Sequence, residues 1–196
     1  LLGVGFAQAE AIDTVAKANP NVKFGIIDVF WLDQPNLRQF SFKEHEGSYL
    51  VGVAAATKSA TGKVGFVGGM DVPLIRKFAC GYVQGVKSVS ADIEVLQNMT
   101  GTTPSAWNDP VKGAELAQSQ IDRGADIVYH AAGGTGIGVI QATADAGKLA
   151  IGVDSNQNYL APGKVLTSMV KRVDIAAYNH FKDAMDGKFE AGVSKL

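Results

Sequence analysis

Asp28, Asp154 and Lys171 each close or follow an apolar run of the kind that forms a buried strand: "VKFGIID", "LAIGVD" and "VLTSMV". Ligands of open α/β sheets bind beyond the carboxyl ends of the strands, so these charged side chains are candidates for contact with a small molecule. Phe6 in "VGFA" and Trp107 in "SAWND" are delivered in the same way and add aromatic faces. Ionised carboxylates accept hydrogen bonds from vicinal hydroxyls and ring N–H groups, and aromatic faces stack on flat rings. That set suits a sugar or a nucleoside. The competing role for an Asp after a strand is to cap the next helix. Asp109, directly before Pro110, is read as such a cap, and Asp71, two residues before Pro73, fits a cap as well as it fits ligand contact. Asp154 opens "DSNQNYLAPG", too loop-like for a helix start, so its carboxylate is read as serving a cleft rather than a cap.

A glycine loop, with Gly133, Gly134, Gly136 and Gly138, lies between "ADIVYHAA" and the helical pattern "GIGVIQATADAG". A helix that opens this way aims amides and its dipole at whatever sits before it. A dinucleotide site requires G-x-G-x-x-G, but Gly136-Ile137-Gly138 runs on into Val139, Ile140 and Gln141, and no G-K-[ST] of a P-loop occurs. The loop is therefore read as a tight turn that brings the backbone of Gly133 and Gly134 against an uncharged ligand. His45, His130 and His180 fall on three separate elements, and Cys80 is the lone cysteine. His45 reads as a solvated helix-start residue, His180 as a helix surface residue, and His130 as a strand-end residue within reach of a cleft. Cys80 reads as a small buried helix residue and Trp31 as a surface packing residue. With no G-x-S-x-G elbow and no metal-ligand spacing, no catalytic residue, metal or cofactor is assigned.

Composition narrows the partners. Hydrophobic residues make up 46% and charged residues 19% of 196, so the chain is globular, and a net charge of −1 without basic blocks excludes a phosphate-backbone partner. No apolar run approaches the ~20 residues of a membrane-spanning helix. The opening "LLGVGFAQAEA" reads as a strand running into a helix, so the chain is expected to be a segment of a longer protein. Apolar runs alternate with helical patterns throughout, which predicts doubly wound α/β lobes. "TKSATGK" is small, polar and unpatterned, and is read as the crossover between lobes. The expected division is a partial first lobe over residues 1–60, a second lobe over 61–170 and a helix over 171–196 returning toward the first. In the second lobe a five-stranded parallel sheet is expected, with "ADIVYHAA" fully buried.

Taken together, "VGFAQAEAI", "FKEHEGSYLVGVAA", "GKVGFVGGMDVPLIRKFACGYVQGVK", "AAGGTGIGVI", "IGVDSNQ" and "LTSMVKRVD" resemble the basic membrane protein (BMP) family of lipid-anchored substrate-binding proteins of ABC importers. The resemblance implies a type I periplasmic-binding-protein fold, with two α/β lobes of which the first is incomplete here. It implies a purine nucleoside or related small molecule as ligand, an importer permease as partner, no enzymatic activity, and a periplasmic or cell-surface location through a lipid anchor outside this chain. It further implies that Asp28, Asp154 and Lys171 contact the nucleoside, with Trp107 at a position where the family tends to carry an aromatic. "DSNQ" departs from the family's "DSDQ" by Asn156, which lowers the local negative charge. A ligand-sensing domain of a regulator, or an enzyme on the same lobes, is the alternative.

Overall fold

The structure is a computed structural model that describes residues 1–196. Two compact units emerge: unit 1 comprises Leu1–Lys43 with Arg172–Leu196, and unit 2 comprises Glu44–Lys171.

Unit 2 is built on a five-stranded, fully parallel sheet of order β5-β4-β6-β7-β8, with β4 Lys63–Met70, β5 Glu94–Gly101, β6 Ile127–Ala131, β7 Leu149–Asp154 and β8 Val165–Val170. The central strand β6 is buried along its whole length, with Val128 and Ala131 inaccessible. Strands covered on both faces lose the polar alternation of half-exposed ones, which is why "IVYHA" lacks an alternating polar face. Two helices, α2 Glu44–Lys58 and α3 Pro73–Val89, cover one face over a core of Phe66, Phe78, Tyr82, Tyr129 and Met169. Helices α4 Pro110–Asp122 and α5 Thr135–Asp145 cover the other over Val67, Leu96, Val128 and Val139. Asp109 caps α4 as expected, its carboxylate accepting the Lys112 amide at 2.9 Å, an interaction worth ~1 kcal/mol. Asp71 does not cap α3. It forms a two-pronged pair with Arg76 at 2.7 and 2.9 Å, which holds its carboxyl below the usual range.

The α2–α3 contact moves the boundary between units. A β-carbon at Gly85 would stand 2.0 Å from the Tyr49 carbonyl oxygen, and one at Gly81 would stand 2.3 Å from that of His45. The two helices thus touch backbone to backbone, and α2 belongs to unit 2 rather than to the first 60 residues. "TKSATGK" accordingly joins α2 to β4 inside unit 2. The Asp126 carboxylate grips it, accepting from Ser59 Oγ at 2.7 Å and from the amides of Ala60 and Thr61 at 2.6 and 3.0 Å.

Unit 1 carries a four-stranded parallel sheet of order β1-β2-β3-β9, from β1 Leu2–Val4, β2 Phe24–Ile27, β3 Leu37–Ser41 and β9 Gly192–Lys195. Helix α1 Ala9–Ala18 packs through Ala9 and Ala16 on Phe24, Ile26 and Leu37. Helix α6 Val173–Met185 packs through Ala176 on Ile27 and Phe40. Strand β9 was not anticipated; it pairs Arg38 with Gly192 and Ser41 with Lys195. His180, expected on the helix surface, is buried among Phe40, Phe181 and Phe189 and fills the space a side chain at Gly25 would need. Cys80, expected in the core, is exposed. It sits off the stripe of Ile75, Phe78, Ala79, Tyr82 and Val86 that α3 buries. Leu1 and Val4 at the free edge of β1 are exposed, as are Tyr178, Phe181 and Met185 on α6.

Candidate functional site

Exactly two residues other than glycine adopt the left-handed backbone region, and both are strand-end carboxylates: Asp28 at φ 68 and Asp154 at φ 66.

 Asp and Asn tolerate this conformation better than other side chains, but it still marks a backbone held by its surroundings. In unit 1, Asp28 follows β2 and is half-buried, its amide donating to the Phe40 carbonyl at 2.8 Å. Phe6 follows the neighbouring β1, one residue after Gly5, whose amide donates to the Ile27 carbonyl at 3.2 Å, and it packs partly against the α1 core. Unit 1 therefore brings Phe6 and Asp28 to the carboxyl ends of adjacent strands.

Unit 2 brings the other candidates to the corresponding end of its own sheet. Asp154 ends β7 with its side chain exposed, and its carbonyl accepts the Lys171 amide at 2.8 Å. Trp107 ends a short helical turn over Pro104–Trp107. Its ring lies against β4, so that a β-carbon at Gly69 would come within 2.1 Å of it, and one at Gly133 within 3.6 Å. Thr135, which sequence reasoning passed over, joins this turn to the glycine loop. Its hydroxyl donates to the Ala106 carbonyl and accepts the Asp109 amide, both at 2.8 Å. Gly133 (φ 57) and Gly134 thus form one wall with Trp107. The amides of Gly136 and Ile137 already close turns onto the carbonyls of Gly133 and Gly134 at 3.0 and 3.2 Å. Two of the donors that a phosphate would use at a helix start are therefore engaged, which favours an uncharged ligand.

Behind this wall lies a partly buried polar network that the sequence did not disclose. The Gln157 side-chain oxygen accepts the Val153 amide at 2.9 Å, and His130 Nε2 lies 2.9 Å from the same oxygen. Because that oxygen can only accept, Nε2 carries the proton and donates. The Gln157 amide in turn donates to Ser168 Oγ at 3.1 Å. The loop that carries Asp154 is tied to β6, β7 and β8 at once. His130, read as a residue within reach of a cleft, is instead fully buried beneath α5, and a β-carbon at Gly136 would lie 1.9 Å from its Nδ1.

Burial pushes the His130 pKa down to about 4, against the opposing Gln157 hydrogen bond. The unfolded chain takes up a proton near 6.5, and the folded protein does not until about 4. Stability is therefore complete above the unfolded pKa and falls as pH drops through that window, by on the order of 3 kcal/mol. His180, also lowered by burial first of all, acts in the same direction. Thermal melts at pH 7 and pH 5 are expected to show a clear loss at pH 5 that shrinks in a His130→Asn variant. An equal loss in the two proteins would refute this assignment.

Lys171 follows β8, and its side chain is 5% exposed. Its Nζ lies 3.3 Å from Oε1 of Glu44, a carboxylate 1% exposed, and 5.9 Å from the centre of the Phe78 ring. Glu44 was missed because "KEHEG" reads as a solvated charge cluster. No group of three or more His, Cys, Asp or Glu side chains is placed to hold a metal ion. No helix is long and apolar enough to cross a membrane.

A family model described as "ABC transporter substrate-binding protein PnrA-like" matches residues 1–195. The ABC transporter nucleoside-binding protein BmpA of Lactococcus lactis subsp. cremoris (strain MG1363) is 38% identical, over 98% of this chain and 58% of that protein. Basic membrane protein B of Borreliella burgdorferi is 35% identical, over 89% of this chain and 52% of that protein. Among solved structures, an ABC transporter system solute-binding protein from Aeropyrum pernix K1 matches with a TM-score of 0.89 at 32% identity, covering 100% of this chain and 57% of that one. A transcriptional activator of the comK gene from Bacillus halodurans matches with a TM-score of 0.83 at 28% identity, covering 100% and 66%. The chain spans a little over half the length of the curated relatives it matches.

Proposed function

The chain belongs to the Bmp family of PnrA-like substrate-binding proteins of ABC transporters, and from that premise we propose that it takes part in binding a purine nucleoside for import. The observation that carries this reading is the pair of strand-end carboxylates, Asp28 and Asp154, in the left-handed backbone region. Each is a hydrogen-bond acceptor of the kind that a ribose diol or a purine ring N–H requires. Trp107 supplies a face for the flat base, and Gly133 and Gly134 let it approach the backbone. The relative named as a nucleoside-binding protein, at 38% identity, supports the same class of ligand. Lys171 adds a cationic donor to the set. In this reading the chain performs no chemistry, its partner is an importer permease, and it works outside the cytoplasmic membrane, held there by a lipid anchor.

Thermal-shift and calorimetric titration with inosine, guanosine, adenine, ribose and glucose tests the reading. Purine nucleosides are expected to raise the melting temperature by several degrees at a hundred times Kd, where bound ligand adds ~2.7 kcal/mol. Free base and sugar are expected to do far less. A shift with a sugar and none with any nucleoside would reassign the ligand.

The likeness to the comK activator favours a second reading, a ligand sensor within a transcriptional regulator. Fractionation of cells separates the two, since a regulator stays with the cytoplasm and an importer's receptor with the membrane.

A further inference from the structure

We infer that Glu44 is a positioning residue, which holds the Lys171 ammonium in place for ligand contact; this rests on the nucleoside reading above. Glu44 and Lys171 are the first and last residues of unit 2. The Glu44 side chain is 1% exposed, with Oε1 3.3 Å from Lys171 Nζ and Oε2 3.7 Å from Lys77 Nζ. Neither of its carboxylate oxygens accepts a hydrogen bond.

Such an arrangement is a poor device for stability. A buried ion pair recovers its desolvation cost only when hydrogen bonds satisfy the remaining lone pairs, and apolar residues of similar volume usually pack there at least as well. What the pair does accomplish is geometric. The Lys171 amide is tied to the Asp154 carbonyl at 2.8 Å, and the Lys171 ammonium is tied to Glu44. A four-carbon stem is thereby held at both ends, with the Phe78 ring beside its charged end. A lysine ordered before the ligand arrives loses little further freedom on binding, and this preorganisation is where affinity is gained. Lys77, whose side chain is 37% exposed, leaves Lys171 as the buried counter-charge of Glu44.

A double-mutant cycle tests the assignment, using calorimetric titration with inosine of the wild type, Glu44→Gln, Lys171→Met and the double variant. Glu44→Gln is expected to raise Kd roughly tenfold. The double variant should bind no more weakly than Lys171→Met alone, because Glu44 acts through Lys171. Glu44→Asp, which keeps the charge, should recover part of the loss and serves as the probe if Glu44→Gln does not fold. An unchanged Kd in Glu44→Gln, or losses that simply multiply in the double variant, would overturn the inference. Should the wild type bind no nucleoside, it is the ligand reading that fails. The pairing is then still decided by the melting temperatures of the four ligand-free proteins, where non-additive shifts support it and additive shifts overturn it.

Discussion

Asp154→Gly is expected to weaken nucleoside binding by ten- to a hundredfold while relieving a strained backbone position. The loss follows from a ligand hydroxyl or N–H left without its acceptor in a desolvated site, at ~1–3 kcal/mol. The backbone relief follows from the conformation. Asp154 sits at φ 66, where an L side chain is strained by ~1 kcal/mol and glycine is not. Alanine is the poorer probe, since it removes the acceptor and also tolerates this φ less well than Asp does, so that affinity and melting temperature fall together. Asp154→Asn, which tolerates the same φ, keeps a polar side chain of the same size and isolates the charge. Calorimetric titration and thermal melts on the same preparations make the comparison. Wild-type affinity in Asp154→Gly would remove Asp154 from the site.

Gly85→Val should produce the largest loss of stability, at least ~3 kcal/mol, with a fall in melting temperature of about 6–12 °C. The β-carbon alone would stand 2.0 Å from the Tyr49 carbonyl oxygen and 3.0 Å from the Tyr49 Cα. Those are backbone atoms of the facing helix, so no rotamer change can make room, and α2 must move off α3. Gly101→Ala is the matched control. Its β-carbon meets only the Ala106 methyl, at 3.5 Å, an ordinary contact, and its effect should stay within ~0.5 kcal/mol. Chemical denaturation of the three proteins checks both. Equal midpoints for Gly85→Val and the wild type would mean that the helices are not in backbone contact.

The parallel strands were legible because burial on both faces leaves runs without polar alternation, as in "VGFVGG" and "IVYHAA". Strand β9 was not, since "GVSK" is four residues long and acquires its partner from β3, far away in sequence. The boundary between units escaped for a related reason. The apolar pattern of α2 suits either lobe, and only the close fit on Gly81 and Gly85 assigns it to one. Cys80 could have been placed correctly, because the 3.6-residue stripe through Ile75, Phe78, Tyr82 and Val86 passes it by. Among the candidate ligand residues, Asp28 and Asp154 could be named from their positions after strands, whereas their left-handed backbone could not. Gln157, His130, Thr135 and Glu44 act through tertiary contacts that leave no local pattern. His180 likewise looks solvated beside Asn179 and Lys182, yet its ring occupies the space above Gly25.

The pairing of β3 with β9 also sets an order of events during synthesis. Unit 2 is one uninterrupted stretch, Glu44–Lys171, whose partners all emerge within it. Unit 1 is split, and Arg38 waits for Asp183 and for the Glu190 carbonyl, 152 residues further on. At ordinary ribosomal speeds that interval lasts on the order of ten seconds or more. During it β3 has one side unpaired, with Phe40 lacking the α6 that will cover it. Unit 2 can be folded before unit 1 is closed, and β3, within Leu1–Lys43, is exposed to faulty strand pairing in the meantime.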